Sequence, residues 1–319
     1  MADVLVRNDR AASATTGRSG SAPRPVVAPR RLGARCQRLV PLLYVLPALV
    51  FYLGFVIAPW VHSVWISFWH WNGIGVATWA GADNYVDVFT EPALRSALVH
   101  AFVFVLFYTV IPLSLGLVLA ALVSTVPWRA MPVIRTVIFL PQILPLVAVG
   151  VVWKWIYGED GPLNQLLRAV GLGGLARAWL GDFTWALPSV GLIGTWVSTG
   201  LCFLLLLSGI GKIDPSLYEA ASLDGAGRLR QFLHITVPGL RREIGVASTV
   251  TVIAALASFD VVYVMTGGGP GYSTMVPGVQ VYQLVFTAGR VGTACALATV
   301  LSLLTCLAMF VLNRLTRER

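Results

Sequence analysis

The chain has 319 residues, of which 57% are hydrophobic and only 12% are charged, and its mean hydropathy is +0.77. This composition excludes an ordinary soluble domain and indicates a polytopic membrane protein. The net charge of +9 does not indicate nucleic-acid binding, because the basic residues are confined to particular segments between apolar stretches.

Charged residues are separated by uncharged stretches that match the thickness of a membrane. A hydrocarbon core of about 30 Å needs about 20 helical residues. No charge lies between Arg38 and Asp83, and other uncharged stretches fill residues 96–128, 136–153, 183–211, 244–259 and 291–313. We therefore predict an all-α polytopic membrane protein with six transmembrane helices, at about 41–62, within 96–126, and at about 136–157, 184–209, 244–265 and 291–312.

The distribution of basic residues predicts the orientation. If the loops alternate between two sides, 18 of the 23 Lys and Arg residues fall on one side. The positive-inside rule makes that side cytosolic, together with both termini and the 212–243 loop, and it predicts contact with anionic lipid. The predicted domains are a disordered basic cytosolic tail (1–38), a first transmembrane helix with an outer interfacial segment (39–95), a core of five helices (96–313) and a cytosolic C-terminus (314–319).

Three details of the spans can be predicted. Tryptophans between 63 and 95 indicate an interfacial segment with a short helix around 84–90. Pro141 and Pro145 indicate a kink in the third span, which either lines a pathway or is a bent packing helix. Glycines in the fourth span predict close helix packing: Gly191, Gly194, Gly200 and Gly209.

The polar 212–243 loop carries signals for two short helices. Asp214 followed by Pro215 is a helix start, and good helix formers continue to Leu223. Gly225 can adopt the positive φ that ends many helices. A second, amphipathic helix is predicted over 226–236, with Pro238 near its end. We therefore predict two helices joined by a glycine bend.

The loop contains the motifs Glu219-Ala220-Ala221, Asp224-Gly225-Ala226 and Ile235-Thr236-Val237-Pro238. Together they resemble the signature loop of the membrane subunits of ABC importers. The run from Phe259 to Pro270, FDVVYVMTGGGP, resembles the sugar-importer branch. Val237 stands where leucine is usual, and Arg242 where a second proline is usual. The resemblance is densest over 212–271 and implies a multi-pass protein of a bacterial plasma (inner) membrane.

The resemblance also implies that the loop docks onto a separate ATPase subunit. The ATPase-coupling residues would be Glu219, Ala220, Ala221, Asp224, Gly225, Ala226 and Pro238. The small alanine side chains would let the partner approach closely, and Glu219 would pair with an arginine of the partner in a desolvated interface. The alternative for Glu219 is a solvated surface carboxylate.

Asp260 is the only acidic residue flanked on both sides by apolar span sequence. An intramembrane carboxylate is a candidate functional group, whereas one near the outer end of a span would simply be hydrated, and both interpretations stay open. From the resemblance, the aromatic rings of Phe259 and Tyr263 would suit a sugar in a substrate pathway. The same resemblance suggests that the glycine-rich turn at 267–270 faces an external binding protein.

No catalytic or metal site is indicated. The chain has no phosphate-binding G-x-x-x-x-G-K-[ST] motif, no G-x-S-x-G or H-E-x-x-H, and no C-x-x-C pair among its four cysteines. We therefore expect no cofactor on this chain and place ATP hydrolysis on a separate subunit.

The leading interpretation is a permease subunit of a bacterial ABC importer for a carbohydrate or related polyol. The partners would be a second permease, an ATPase dimer, a solute-binding protein and membrane lipid. The alternative is an ion-coupled secondary transporter, which would need a buried ionisable relay and, as in many such folds, inverted repeats. A membrane anchor or assembly factor would not explain the folded loop. The sequence does not identify the solute, and the direction of transport rests on the resemblance.

Overall fold

The computed structural model describes residues 44–124 and 129–316. The predicted tail at 1–38 and the last three residues of the predicted C-terminal segment lie outside these ranges. The described residues are helical apart from loops and one sheet of two short strands. The all-α prediction is confirmed.

Five described helices are long and apolar enough to cross a membrane: Tyr44–Ile66, Pro92–Val123, Ala186–Ile210, Arg241–Met265 and Val291–Thr316. Two more, Met131–Ile143 and Leu146–Ile156, meet at 94° and make a sixth span if they cross together. The shorter helices are Asp83–Thr90, Pro162–Ala169, the 3-10 turn Gly173–Leu175, Pro215–Leu223, Arg228–Gln231, Val237–Gly239 and Pro277–Phe286. Wider π-helical turns lie at Leu53–Ile57, Leu106–Val110 and Phe232–Thr236.

The third span differs from the prediction. We expected one kinked helix at 136–157, but the helix begins at Met131 and breaks completely after Ile143. Leu144 has an extended backbone with ψ 138°, because a residue before proline is disfavoured in the helical region. Pro145 then begins the second helix, whereas Pro141 stays inside the first. The break therefore lies at Pro145.

The fifth span is also interrupted, which the sequence did not predict. Its helix runs over Arg241–Leu256, stops at 257–259, and resumes as Asp260–Met265. The short segment packs against Leu146–Ile156, the second half of the broken third span. A Cβ atom on Gly150 would lie 3.2 Å from the Val264 side chain, so the two half-helices are in close contact.

The fourth span lies at the centre of the packing. Buried residues make up 72% of its most apolar stretch. A Cβ atom on Gly200 would lie 2.6 Å from the Ile138 carbonyl oxygen, and one on Gly116 would lie 2.8 Å from the Phe203 backbone nitrogen. Backbones approach this closely only where glycine leaves out the Cβ atom. The close packing predicted from the glycines is therefore confirmed.

The strands Trp69–His70 and Thr78–Trp79 pair antiparallel, with Trp69 opposite Trp79. We call the end of the bundle that carries them the hairpin end. The helix Asp83–Thr90 follows, close to the predicted 84–90. The buried Asn84 side chain donates to the carbonyls of Ser67 and Trp69 at 2.9 and 3.0 Å and accepts from the Thr293 hydroxyl at 3.0 Å. Asn84 thereby joins the hairpin to the last span.

An ion cluster holds the same end together. The Arg290 guanidinium donates to both carboxylate oxygens of Glu91, at 3.0 and 2.6 Å, and to Asp87 at 2.9 Å. The hydrogen bonds to Glu91 are the main cause of a raised pKa for Arg290, which burial partly opposes. The cluster connects the short helix at 83–90 to the start of the last span.

Candidate functional site

The 212–243 loop begins with a capped helix, as predicted. Asp214 caps the helix Pro215–Leu223, and its carboxylate accepts the Ser216 N–H at 2.9 Å. This backbone hydrogen bond, with a weaker one from the Ser216 hydroxyl, lowers the pKa of Asp214. The helix ends before Gly225, whose φ of +78° is left-handed. Both predictions, the start and the glycine bend, are confirmed.

The second helix of the loop differs from the prediction. It begins at Arg228 instead of 226 and continues through Pro238 to Gly239, with a π-helical turn at Phe232–Thr236. Proline inside a regular helix meets the carbonyl four residues earlier. The wider turn before Pro238 changes that register, which is how the helix accommodates the ring.

Side-chain hydrogen bonds fix the two helices against each other. The Tyr218 and Thr236 hydroxyls are 2.9 Å apart. The Gln231 amide donates to the Ser222 hydroxyl at 2.9 Å and to the Ala226 carbonyl at 3.0 Å. The helix pair is therefore a defined structure on its own.

The tip of the loop is exposed. Glu219, Ala220, Asp224, Gly225 and Pro238 are exposed, and Ala221 and Ala226 are half-buried. Within residues 44–124 and 129–316, the Glu219 side chain forms no hydrogen bond or ion pair. Four leucines of the same loop were not predicted as docking residues, and they are 52–90% exposed: Leu217, Leu223, Leu229 and Leu233. An apolar surface with exposed carboxylates at Glu219 and Asp224 suits a protein interface.

The base of the loop is anchored in the bundle. Leu240 is fully buried and packs in a cluster with Phe203, Leu206 and Leu207 of the fourth span and Ala120 and Val123 of the second. Lys212 pairs with Glu243 at 3.0 Å. The loop is thereby tied to the second, fourth and fifth spans at what we call the loop end.

The predicted pathway residues lie at the break in the fifth span. Asp260 is exposed and begins the short helix, and within the described residues its side chain has no hydrogen bond or ion pair. Phe259 and Tyr263 are stacked with ring centroids 5.1 Å apart. Two residues of the helix Pro277–Phe286 extend this stack: the Tyr282 ring lies 5.2 Å from Tyr263, and the Phe286 ring lies 5.0 Å from Tyr282. Neither was predicted, because the sequence does not show that this helix lies next to the break.

An unpaired polar atom, the Ser258 hydroxyl, lies at the same break, and others are buried in neighbouring helices. In the described chain the buried side-chain oxygens of Ser258, Gln280 and Thr109 have no hydrogen-bond partner. Buried polar atoms are usually paired, so these are available to a polar ligand or to water. The residues 44–124 and 129–316 contain no group of three or more His, Cys, Asp or Glu that could hold a metal ion.

The glycine-rich turn after the short helix is well defined. Gly267, Gly268 and Gly271 all have positive φ. The Thr274 hydroxyl donates to the Gly269 carbonyl at 2.7 Å, and the Gln283 amide donates to the Gly267 carbonyl at 3.0 Å. The turn is therefore held next to the aromatic stack.

Comparison with known proteins gives consistent results. The family model of the binding-protein-dependent transport system inner membrane component matches residues 112–319. The probable ABC transporter permease protein YurN of Bacillus subtilis is 39% identical over 272 residues, 84% of this chain and 93% of that protein. The sulfoquinovosyl glycerol transport system permease protein SmoG of Agrobacterium fabrum is 32% identical over 287 residues, 89% of this chain and 92% of that protein.

Two further similarities concern substrate and fold. The lactose transport system permease protein LacF of Rhizobium radiobacter is 32% identical over 246 residues, 76% of this chain and 82% of that protein. A chain of a bacterial ABC transporter involved in import of the acidic polysaccharide alginate superposes with a TM-score of 0.75 at 20% identity, covering 89% of this chain and 97% of that chain. At this identity the superposition shows the fold alone.

Proposed function

Because the chain belongs to the family of binding-protein-dependent transport system inner membrane components, we propose that it is a permease subunit of an ATP-binding-cassette importer for a carbohydrate or related polyol. Its family is a transport family, and several apolar helices place it in the membrane as a multi-pass protein. The carbohydrate substrate is supported by the relatives named for lactose and for sulfoquinovosyl glycerol.

The observation that carries the proposal is the exposed helix pair of the 212–243 loop. Its tip presents Glu219 between small residues and exposed leucines, while its base is anchored by Leu240. We propose that Glu219, Ala220, Ala221, Asp224, Gly225, Ala226 and Pro238 contact a separate ATPase, with Glu219 paired to a cation of that subunit. ATP binding and hydrolysis then move the loop, and Leu240 passes the movement to the spans.

The substrate would pass the break in the fifth span. Sugars present an apolar face that stacks on aromatic rings and hydroxyls that need hydrogen-bond partners. The Phe259 and Tyr263 rings supply the stacking surface. Asp260 and the unpaired buried oxygens supply the hydrogen-bond partners. One chain forms half of the pathway, and a second permease subunit forms the rest.

The proposed orientation places the loop end and both termini in the cytosol, because most basic residues lie there. The hairpin end then faces a solute-binding protein outside. A solved alginate ABC transporter has been described in complex with a periplasmic protein bound to an alginate pentasaccharide, which supports this type of partner. No cofactor is proposed on this chain.

The test is uptake into ATP-loaded membrane vesicles that contain this chain with its second permease and ATPase, using the carbohydrate found in the binding protein. Glu219→Ala should abolish both uptake and co-purification of the ATPase. Glu159→Ala removes an exposed carboxylate elsewhere and should leave both unchanged. Uptake that needs no ATP and follows an ion gradient would instead establish the secondary transporter, an alternative that the family match does not support.

A further inference from the structure

A groove of about 520 Å³ lies at the loop end, between the fifth span and the last span. It belongs neither to the tip of the 212–243 loop nor to the aromatic stack. Its walls are the apolar side chains of Val246, Val250, Ile253 and Met309. The three fifth-span residues are 43–49% exposed and follow one another at spacings of four and three, so they form one continuous helix face.

The mouth of the groove is polar and carries a positive charge. Arg242 and Asn313 line it, both exposed, and within the described residues neither side chain has a hydrogen bond or ion pair. The neighbouring Arg241 is already engaged, since it donates to the Leu315 carbonyl at 2.7 Å. Glu243, next to Arg242 in sequence, forms its salt bridge with Lys212 and also interacts electrostatically with Arg242. The lining contains no acidic residue.

The two helices are fixed at this end. A Cβ atom on Gly245 would lie 2.9 Å from the Thr316 side chain, so the two helices touch there. The Arg241 hydrogen bond to Leu315 holds the same junction. The groove is therefore a built feature of the packing between the two spans.

We propose that this groove binds one anionic phospholipid, with its phosphate at Arg242 and Asn313 and an acyl chain along the face formed by Val246, Val250 and Ile253. An apolar wall of about 10 Å, the rise of seven helical residues, suits an acyl chain. A guanidinium binds phosphate oxygens through charge-assisted hydrogen bonds. Both chemistries occur side by side in a lipid at the membrane boundary, where a juxtamembrane arginine attracts anionic head groups.

A native mass spectrum of the full-length chain in detergent, with added phosphatidylglycerol or phosphatidylcholine, tests the proposal. The wild-type chain should retain one phosphatidylglycerol in preference to phosphatidylcholine. Arg242→Gln should weaken phosphatidylglycerol retention about fivefold, as expected for one lost cation near the head group. Val250→Trp fills the groove and should weaken retention of both lipids.

Arg314→Gln is the matched control. It removes one positive charge from the same end, and Arg314 does not line the groove. It should leave retention unchanged, and the lipid-free unfolding temperature of each variant checks that it is folded. Equal losses from Arg314→Gln and Arg242→Gln would overturn the proposal in favour of diffuse charge attraction.

Two further experiments distinguish a bound phospholipid from other occupants of the groove. Inorganic phosphate should not compete with phosphatidylglycerol, and competition at equal concentration would mean that the site recognises free phosphate. In the assembled transporter, a cysteine at position 250 (Val250→Cys) should remain free of cross-links to the second permease. An efficient cross-link there would make the groove a subunit interface and overturn the proposal.

Discussion

The Lys212 Nζ lies 3.0 Å from the Glu243 Oε1 although the two residues are 31 positions apart, and this pair closes the base of the 212–243 loop. The Glu243 side chain is only 14% exposed, while that of Lys212 is 68% exposed. Leu240 packs in the core with Ala120 and Val123 of the second span. The exposed helix pair therefore projects from a rigid base, which is the arrangement needed to pass a movement into the bundle.

The base and the tip of the loop should respond differently to the same substitution. Leu240→Ala removes a fully buried side chain and should lower the free energy of unfolding by about 2–5 kcal/mol. Leu223→Ala removes a side chain that is 90% exposed and should leave stability within about 0.5 kcal/mol while weakening ATPase association. Thermal unfolding followed by tryptophan fluorescence, together with co-purification, measures both. Equal destabilisation by the two variants would contradict the described burial.

The bend between the two helices of the 212–243 loop should depend on Gly225 and not on the nearby Gly227. Gly225→Ser places a side chain at φ +78° and should cost about 1–2 kcal/mol, because an L-residue is unfavourable there. Gly227→Ser is the matched control, since Gly227 has φ −68° at a helix N-cap, where serine is favoured. A Cβ atom at either position would meet nothing within 4 Å, so steric contact plays no part in the contrast.

Hydrogen exchange of the loop amides and ATPase association report on this contrast. Exchange should accelerate between 214 and 239 in Gly225→Ser and stay unchanged in Gly227→Ser. If both variants bind the ATPase like the wild type, the bend does not determine docking.

Local signals explain which parts of the fold could be predicted. The start at Asp214-Pro215 and the positive φ of Gly225 are set by residues adjacent in sequence, so the sequence was sufficient for both. The Pro145 break is also local, but its 94° angle depends on what the second half packs against, the segment Asp260–Met265. The sequence could therefore indicate a kink but not a full break.

The break at 257–259 had no such signal, and the helix Pro277–Phe286 had only the proline at its first position. No proline or glycine lies at 257–259, and the helix Pro277–Phe286 is too short to be recognised as a span. Tyr282 reaches Tyr263 only through this tertiary arrangement, so the aromatic stack could be predicted in part, as Phe259 and Tyr263, but not as four rings. The exposure of Leu223 could not be predicted either, because an amphipathic pattern does not show which apolar residues stay exposed for a partner protein.

The aromatic stack should affect substrate more than stability. Tyr263→Ala removes a ring that is 42% exposed and should raise the KM of uptake about three- to tenfold, from a ring contact of about 0.5–1.5 kcal/mol. Tyr263→Phe keeps the ring and should retain most of the activity. Tyr272→Ala removes a 55% exposed tyrosine outside the stack and should have no effect. An unchanged KM in Tyr263→Ala would remove this residue from the pathway.

The cap at Asp214 should make the first helix of the loop sensitive to acid. The pKa of Asp214 is lowered in the folded loop by the hydrogen bonds from Ser216, so the charged form is the one that stabilises the helix. The contribution is present above the unfolded pKa of about 3.9 and is lost as the pH falls through the lower folded value. Hydrogen exchange at the Ser216 amide, measured against pH, should show protection lost in that acidic window.

Two variants separate the cap from its charge. Asp214→Asn still accepts the Ser216 N–H but does not titrate, so protection should persist without the acid transition. Asp214→Ala has no acceptor and should lose protection at every pH. An acid transition that survives in Asp214→Asn would assign it to another group, and the cap would then not be its origin.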